Sequence, residues 1–325
     1  MLKTWWGLVP FAAPALIHAM TTRPGHTGLA FPARFAIIAA TMPTDPKPLL
    51  TWPDLVGRPR PTPDATIAYG SDSFQKVDVW LPGGTGPFPT VLMVHGGCWT
   101  NSIADRSLMN WIVDDLRNEG MAVWNIDYRG VDRPGGGYPG TFLDAAMASD
   151  ALAANAERFH LDTRHIVAVG HSAGGHLALW LAARPKLSAD SPLRTAHPLP
   201  IAHVISLGGL PDLEATAASP DNGCGTEVVA QLVGTPSATH PDVYADTSVP
   251  RLLPIGVPQD LVNGHEDAIV PMRLATGYVA QAERAGDTAI LHIVPATGHV
   301  ELVAPETAAW AEAKRLIHAA LEAGQ

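Results

Sequence analysis

Three observations predict an α/β architecture, a mostly parallel central sheet with helices on both faces. From about Ala65 the chain alternates short apolar runs with segments of helical spacing, the pattern of repeated strand–helix–strand units. Several apolar runs are continuous rather than alternating in polarity, as strands covered on both faces are. Hydrophobic residues make up 46% and charged residues 16% of the 325, which supports a large core and excludes wholesale disorder.

The elements follow in order. Phe74–Leu81 alternates in polarity, as an edge or antiparallel strand does. Thr90–Val94 is a buried strand. Ser107–Asn118 has helical spacing through Leu108, Trp111, Ile112 and Leu116, and Gly120 stops it. Met121–Ile126 is the next strand and Phe142–Phe159 an Ala-rich helix. His165–Val169 is a strand, and Ala173–Ala183 is a helix closed by Pro185. Ala202–Leu207, Val257–Val262 and Ala289–Val294 read as further strands, with helices at Met272–Ala285 and Thr307–Ala323. Right-handed crossovers would put ligand groups at the carboxyl ends of these strands.

The amino-terminal part differs. Residues 1–44 hold Lys3, Arg23 and Arg34 and no acidic residue. Residues 1–19 have the basic start and apolar run of a secretory signal, with a weak cleavage site. Cleavage there would mean a periplasmic or secreted protein; otherwise a cytoplasmic location is slightly favoured. The run is too short for a membrane span, so no stable membrane insertion is expected. Residues 45–64 form a Pro-rich arm, and 65–325 the main domain, with a short cap around 210–234. The formal charge of −10 disfavours nucleic acid as a partner. Cys98 and Cys224 are too few for a disulfide framework; one bridge is open to them, and free thiols are the simpler expectation. Nothing in the pattern sets an oligomeric state.

The strongest chemical signal is Gly170-His171-Ser172-Ala173-Gly174, between a strand and a helix. A tight strand-to-helix turn with small flanking residues lifts a serine hydroxyl clear of the sheet, over a helix amino terminus. His95-Gly96-Gly97-Cys98-Trp99 follows an early buried strand. Glycines there let backbone N–H groups approach a developing oxyanion, so Gly96, Gly97 and Cys98 are candidate oxyanion-hole residues together with Ala173. His95 reads as a hydrogen-bonding prop for the loop, and Trp99 and His171 as pocket residues.

A serine needs a base, and the base an acid to orient it. Asp267 lies in a loop after a strand, 95 residues beyond Ser172, and His299 lies in another, 32 residues further on. Glu266 is the rival acid, and Asp260 is less suited because it sits within a strand. His265 and His292 are weaker base candidates. The histidines at 160, 165, 171 and 176 have no metal-ligand spacing, so no metal is expected. Gly135-Gly136-Gly137 lacks a dinucleotide-binding pattern and reads as a flexible surface loop; no cofactor is expected.

Taken together, the elbow, the His-Gly-Gly loop, Asp267 and His299 resemble the α/β-hydrolase superfamily over residues 65–323. HGGCW resembles the loop of kynurenine formamidases, although Cys98 stands where those enzymes usually carry an aromatic residue. GHSAGGHLA resembles those enzymes and also the acetyl-esterase/feruloyl-esterase-like hydrolases. GHEDAIVP and TGHVEL resemble the acid and histidine loops. The resemblance implies an α/β-hydrolase fold, a Ser172–His299–Asp267 triad and an oxyanion hole on the Gly96–Cys98 backbone. The expected activity is hydrolysis of small carboxylic esters through an acyl-enzyme, with a small-molecule ester or amide as partner. An arylformamidase is the nearest alternative; a peptidase or a non-catalytic binding protein is further off.

Overall fold

The computed structural model describes residues 48–324 and the backbone of 35–37. The signal-like stretch 1–19, the rest of 1–44 and the first residues of the Pro-rich arm lie outside the described residues. Among the described residues no helix is long and apolar enough to cross a membrane.

Among the described residues nine strands form one sheet: β1 (Phe35–Ile37), β2 (Ala65–Ala68), β3 (Lys76–Trp80), β4 (Phe88–Val94), β5 (Ala122–Ile126), β6 (Leu161–His171), β7 (His203–Leu207), β8 (Gln259–Gly264) and β9 (Ala289–Val294). Their order is β1-β9-β8-β7-β6-β4-β5-β3-β2. Only the β2–β3 and β3–β5 pairs are antiparallel. The alternating stretch at 74–81 is thus the antiparallel β3, and the continuous apolar runs are the parallel interior, as the patterning predicts.

Successive strand residues feed opposite cores. Leu92, Val94, Ala168 and Val204 pack on one face with α3 (Gly140–Phe159), α4 (Ala173–Ala183) and α7 (Met272–Ala285). Val91, Met93, Val167 and Ile205 pack on the other with α2 (Asn110–Asn118) and α8 (Ala308–Glu322). Every residue of α4 is buried, which explains why its sequence is apolar on all sides. The sheet is therefore the middle layer of an α/β/α sandwich.

Some boundaries move. The strand expected at 165–169 runs from Leu161 to His171, pairing with both β4 and β7. The helix expected from Ser107 begins as a tighter 3-10 turn over Arg106–Met109, because Asp105 caps it by accepting from the Ser107 N–H. The glycines at 135–137 pack tightly rather than standing loose: a Cβ on Gly136 would lie 1.8 Å from the Gly130 carbonyl. Two short helices, α5 (Leu213–Ala217) and α6 (Thr226–Val233), occupy the insertion between β7 and β8. One more, α1 (Trp52–Val56), lies in the Pro-rich arm.

Candidate active site

β6 ends at His171 and α4 starts at Ala173, so Ser172 alone makes the turn, with φ 54° and ψ −122°. That is a sparsely populated conformation for a residue with a side chain, and it persists only where the surroundings fix it. They do so closely. A Cβ on Gly170 would sit 2.0 Å from the Gly174 carbonyl, and one on Gly174 would sit 2.2 Å from the Val94 carbonyl. The Ser172 N–H donates to Leu207 of β7 at 2.8 Å, tying the turn to the neighbouring strand.

β4 lies beside β6 with Val94 opposite Gly170, which brings the His95–Trp99 loop against the elbow. A Cβ on Gly96 would lie 3.0 Å from that of Ser172. Gly97, Cys98 and Trp99 all have positive φ, at 105°, 51° and 53°. The amides of Gly97, Cys98 and Ala173 have no acceptor among the described residues. His95 props the loop: Nδ1 meets the Gly96 carbonyl at 2.7 Å, and Nε2 meets Asp127 at 2.9 Å. Tyr128 stacks on it and donates to its carbonyl.

The loops after β8 and β9 carry Asp267 and His299. They are drawn together by Glu266 N–H donating to Thr297 and His265 N–H donating to Val294, both at 2.9 Å. His299 Nδ1 lies 2.7 Å from Asp267 Oδ2. The other carboxylate oxygen of Asp267 accepts from the Ile269 and Val270 amides at 2.8 and 2.9 Å. This pair fixes the ring with Nδ1–H toward the carboxylate, leaving Nε2 without a hydrogen-bond partner among the described residues. Ser172 Oγ makes no hydrogen bond to His299 or to any other described residue; both side chains line one cavity of about 430 Å³. Such contacts are often long in the absence of substrate and tighten on binding. His171 also lines this cavity, its ring centroid 4.5 Å from that of His299. Burial, and then the neighbouring His299, hold its imidazole well below the ordinary value, so it is neutral.

The rival residues stand elsewhere. Glu266 is solvent-facing and pairs with the exposed His265. Asp260 lies at the opposite end of the sheet between His203 and His292, at 2.7 and 2.6 Å. Burial alone would raise its pKa, but hydrogen bonds from the two rings overcome this and bring it to about 2. Trp99, expected at the pocket, is instead fully buried: the positive φ at 98 and 99 turns the indole into the core, where it donates to His176 Nδ1. No group of three or more metal-binding side chains occurs among the described residues.

Two further features shape the cavity. The cavity takes a wall from the arm, through Trp52 and Val56, and further walls from Ile103, Leu108 and Ile269. The arm is anchored by Glu301, whose carboxylate accepts from the Leu50 N–H and, at 3.0 Å, from the Gly298 N–H beside His299. The second feature corrects an expectation. Cys98 and Cys224 are not free thiols but form a disulfide, with Cα atoms 5.4 Å apart. The turn between α5 and α6 folds back over the His95–Trp99 loop, a contact between residues 126 apart that spacing alone does not reveal.

The parallel sheet, the strained serine after β6 and the Asp–His pair after β8 and β9 define an α/β-hydrolase. Within that superfamily the chain belongs to the BD-FAE family, whose model matches residues 77–280. It is 24% identical over 248 residues to a probable carboxylic ester hydrolase, LipM, of Mycobacterium tuberculosis, covering 73% of this chain and 56% of that one. It is 30% identical over 114 residues to a probable isoprenylcysteine alpha-carbonyl methylesterase, ICMEL1, of Arabidopsis thaliana, covering 35% of this chain and 23% of that one. The chain thus spans about half or less of the length of these curated relatives. Among solved structures, a truncated carbohydrate esterase from gut microbiota matches with TM-score 0.66 at 19% identity, over 80% of this chain and 98% of that one. A bacterial heroin esterase matches with TM-score 0.60 at 24% identity, over 80% and 83%.

Proposed function

We propose that the chain is a serine carboxylesterase acting on small, uncharged esters with an apolar acyl group. The observation that carries this is one cavity lined by Ser172 at a strained elbow and by His299, with Asp267 behind the imidazole. The names of the ester-hydrolase relatives support the same reading. Apart from Ser172 and the two histidines, the cavity lining has no ionisable or hydroxyl side chain, which favours neutral, apolar substrates.

In this mechanism His299 Nε2 takes the Ser172 proton as Oγ attacks the ester carbonyl. Asp267 holds the ring tautomer and stabilises the imidazolium. The Gly97, Cys98 and Ala173 amides receive the oxyanion, and losing one such donor costs on the order of a hundred- to a thousandfold in kcat. His299 then protonates the leaving alcohol. Water, deprotonated by the same nitrogen, releases the acid from Ser172. The steps use only the chain's own groups and water.

The test is a series of p-nitrophenyl esters of increasing acyl length, run beside N-formylkynurenine, with fluorophosphonate labelling of wild type and Ser172→Ala. Ester turnover and labelling that both vanish in the variant are expected. Formamide turnover exceeding that of every ester would move the assignment to an arylformamidase. Wild-type protein that neither labels nor turns over would end the hydrolase reading.

A further inference from the structure

We infer that Cys224 is a positioning residue of the site: through its disulfide to Cys98 it holds the oxyanion loop in working shape, so that full activity requires the oxidised chain. The inference rests on the esterase reading above and adds a residue far from the elbow in sequence.

Cys98 contributes both a candidate oxyanion amide and a cavity-lining side chain. It sits within three consecutive residues of positive φ, two of which carry side chains. Such a backbone is retained only where neighbours over-determine it. Some of that restraint is local: Thr100 N–H donates to Gly97, its hydroxyl donates to Cys98, and Val131 N–H donates to Trp99, at 2.9, 3.0 and 2.8 Å. The restraint on the Cys98 side chain itself is the bond to Cys224.

Cys224 is a firm anchor. Its N–H donates to Asn222 Oδ1 at 3.1 Å, and the Asn222 amide donates to the Thr216 and Ser219 carbonyls at 3.0 and 2.6 Å. The same turn is tied to the acid loop, because Gly223 N–H donates to the Ile269 carbonyl at 2.7 Å. Ile269 N–H in turn donates to Asp267, which holds His299. The disulfide therefore closes a chain of bonds from the oxyanion amides, through the insertion between β7 and β8, to the Asp–His pair. Gly223 and Ile269 line the cavity, so this chain runs along the cavity wall. Opening it at the sulfurs breaks this bonded link between the oxyanion side and the acid side; Cys224 only borders one core and Cys98 belongs to neither.

Cys98 and Cys224 are both partly exposed, within reach of a small dithiol. In reduction, dithiothreitol gives two electrons and two protons: the Sγ–Sγ bond breaks, each sulfur leaves as a thiol, and the reagent closes to its cyclic disulfide.

The experiment compares the full chain purified without reductant, the same protein after dithiothreitol, the reduced protein reoxidised, and Cys224→Ser. Thiol titration reports the redox state, far-UV circular dichroism the fold, and p-nitrophenyl ester kinetics the split between kcat and KM. Expected are no titratable thiols at purification, and a kcat on the order of ten- to a hundredfold lower in the reduced and Cys224→Ser proteins. KM should stay within about threefold, the fold should be intact, and reoxidation of wild type should restore the rate. A purely structural bond would move the melting temperature and not kcat in the folded protein. Two titratable thiols at purification, equal kcat in both redox states, or unfolding on reduction each overturn the inference. Absence of ester turnover and of fluorophosphonate labelling in both redox states overturns the esterase reading and this inference with it.

Discussion

Replacing Gly174 by alanine tests whether the elbow is held by backbone crowding. The new Cβ would lie 2.2 Å from the Val94 carbonyl oxygen and 2.4 Å from that of His95. Contacts this close do not occur, and the opposing atoms belong to backbone, so no side chain can rotate aside. The turn and the carboxyl end of β4 must separate by about 1 Å to restore ordinary contact, and a misplacement of that size costs about a hundredfold in rate. The accompanying overpacking should cost about 1–3 kcal/mol of stability. Ester kcat/KM, measured well below the melting temperature, is the assay. Gly277→Ala is the internal control: this glycine is exposed within α7 with nothing within 4 Å of a new Cβ, so the change should stabilise by about 1 kcal/mol. Gly174→Ala with kcat/KM within threefold of wild type would refute the crowding account.

Three further outcomes follow from the site and its surroundings. Asp267→Asn should lower kcat by about ten-thousandfold with little change in fold, because the amide no longer selects the Nδ1–H tautomer of His299; a loss under tenfold would exclude that role. Trp52→Ala should lower kcat/KM by about tenfold for butyrate and longer esters and less for acetate, since Trp52 walls the cavity with its ring steeply inclined to those of His171 and His299; an equal effect on all chain lengths would contradict it. Burial holds His176 at about 4 against the ordinary 6.5, although its hydrogen bond to the Thr247 carbonyl opposes this. Between those pH values the unfolded chain binds a proton there that the folded chain refuses, so stability is fully present above pH 6.5 and falls as pH drops toward 4. The loss amounts to about 3 kcal/mol. Urea unfolding at pH 7, 6, 5 and 4.5 should show this slope, and His176→Gln should flatten it.

Much of the fold was legible because parallel strands covered on both faces read as unbroken apolar runs, and each was bounded by glycine or proline. The elbow was legible for a related reason: the glycines at 170 and 174 are forced by carbonyls within about 2 Å of where a side chain would begin. Asp267 and His299 could be picked out because each sits just past a strand, on the edge where the sheet gathers its loops. What spacing did not reveal were contacts made only in three dimensions. The bond between residues 98 and 224 depends on how the cap turn folds back. Trp52 and Val56 lie in a stretch whose prolines suggest an irregular arm and give no sign of the cavity they border. Trp99 follows the oxyanion glycines and looked like a pocket residue, but two left-handed residues in succession turn it inward.

The Glu301 carboxylate, shared between Leu50 and Gly298, sets where the protein can be cut. A recombinant fragment begun at Ala65, where the strand–helix alternation starts, would keep every strand of the parallel interior and every helix from α2 onward. It would also strip one side from the cavity and leave a sequestered acid facing a vacated berth next to His299. Protease nicking within residues 48–57 should therefore abolish the proposed ester turnover long before it lowers the melting temperature.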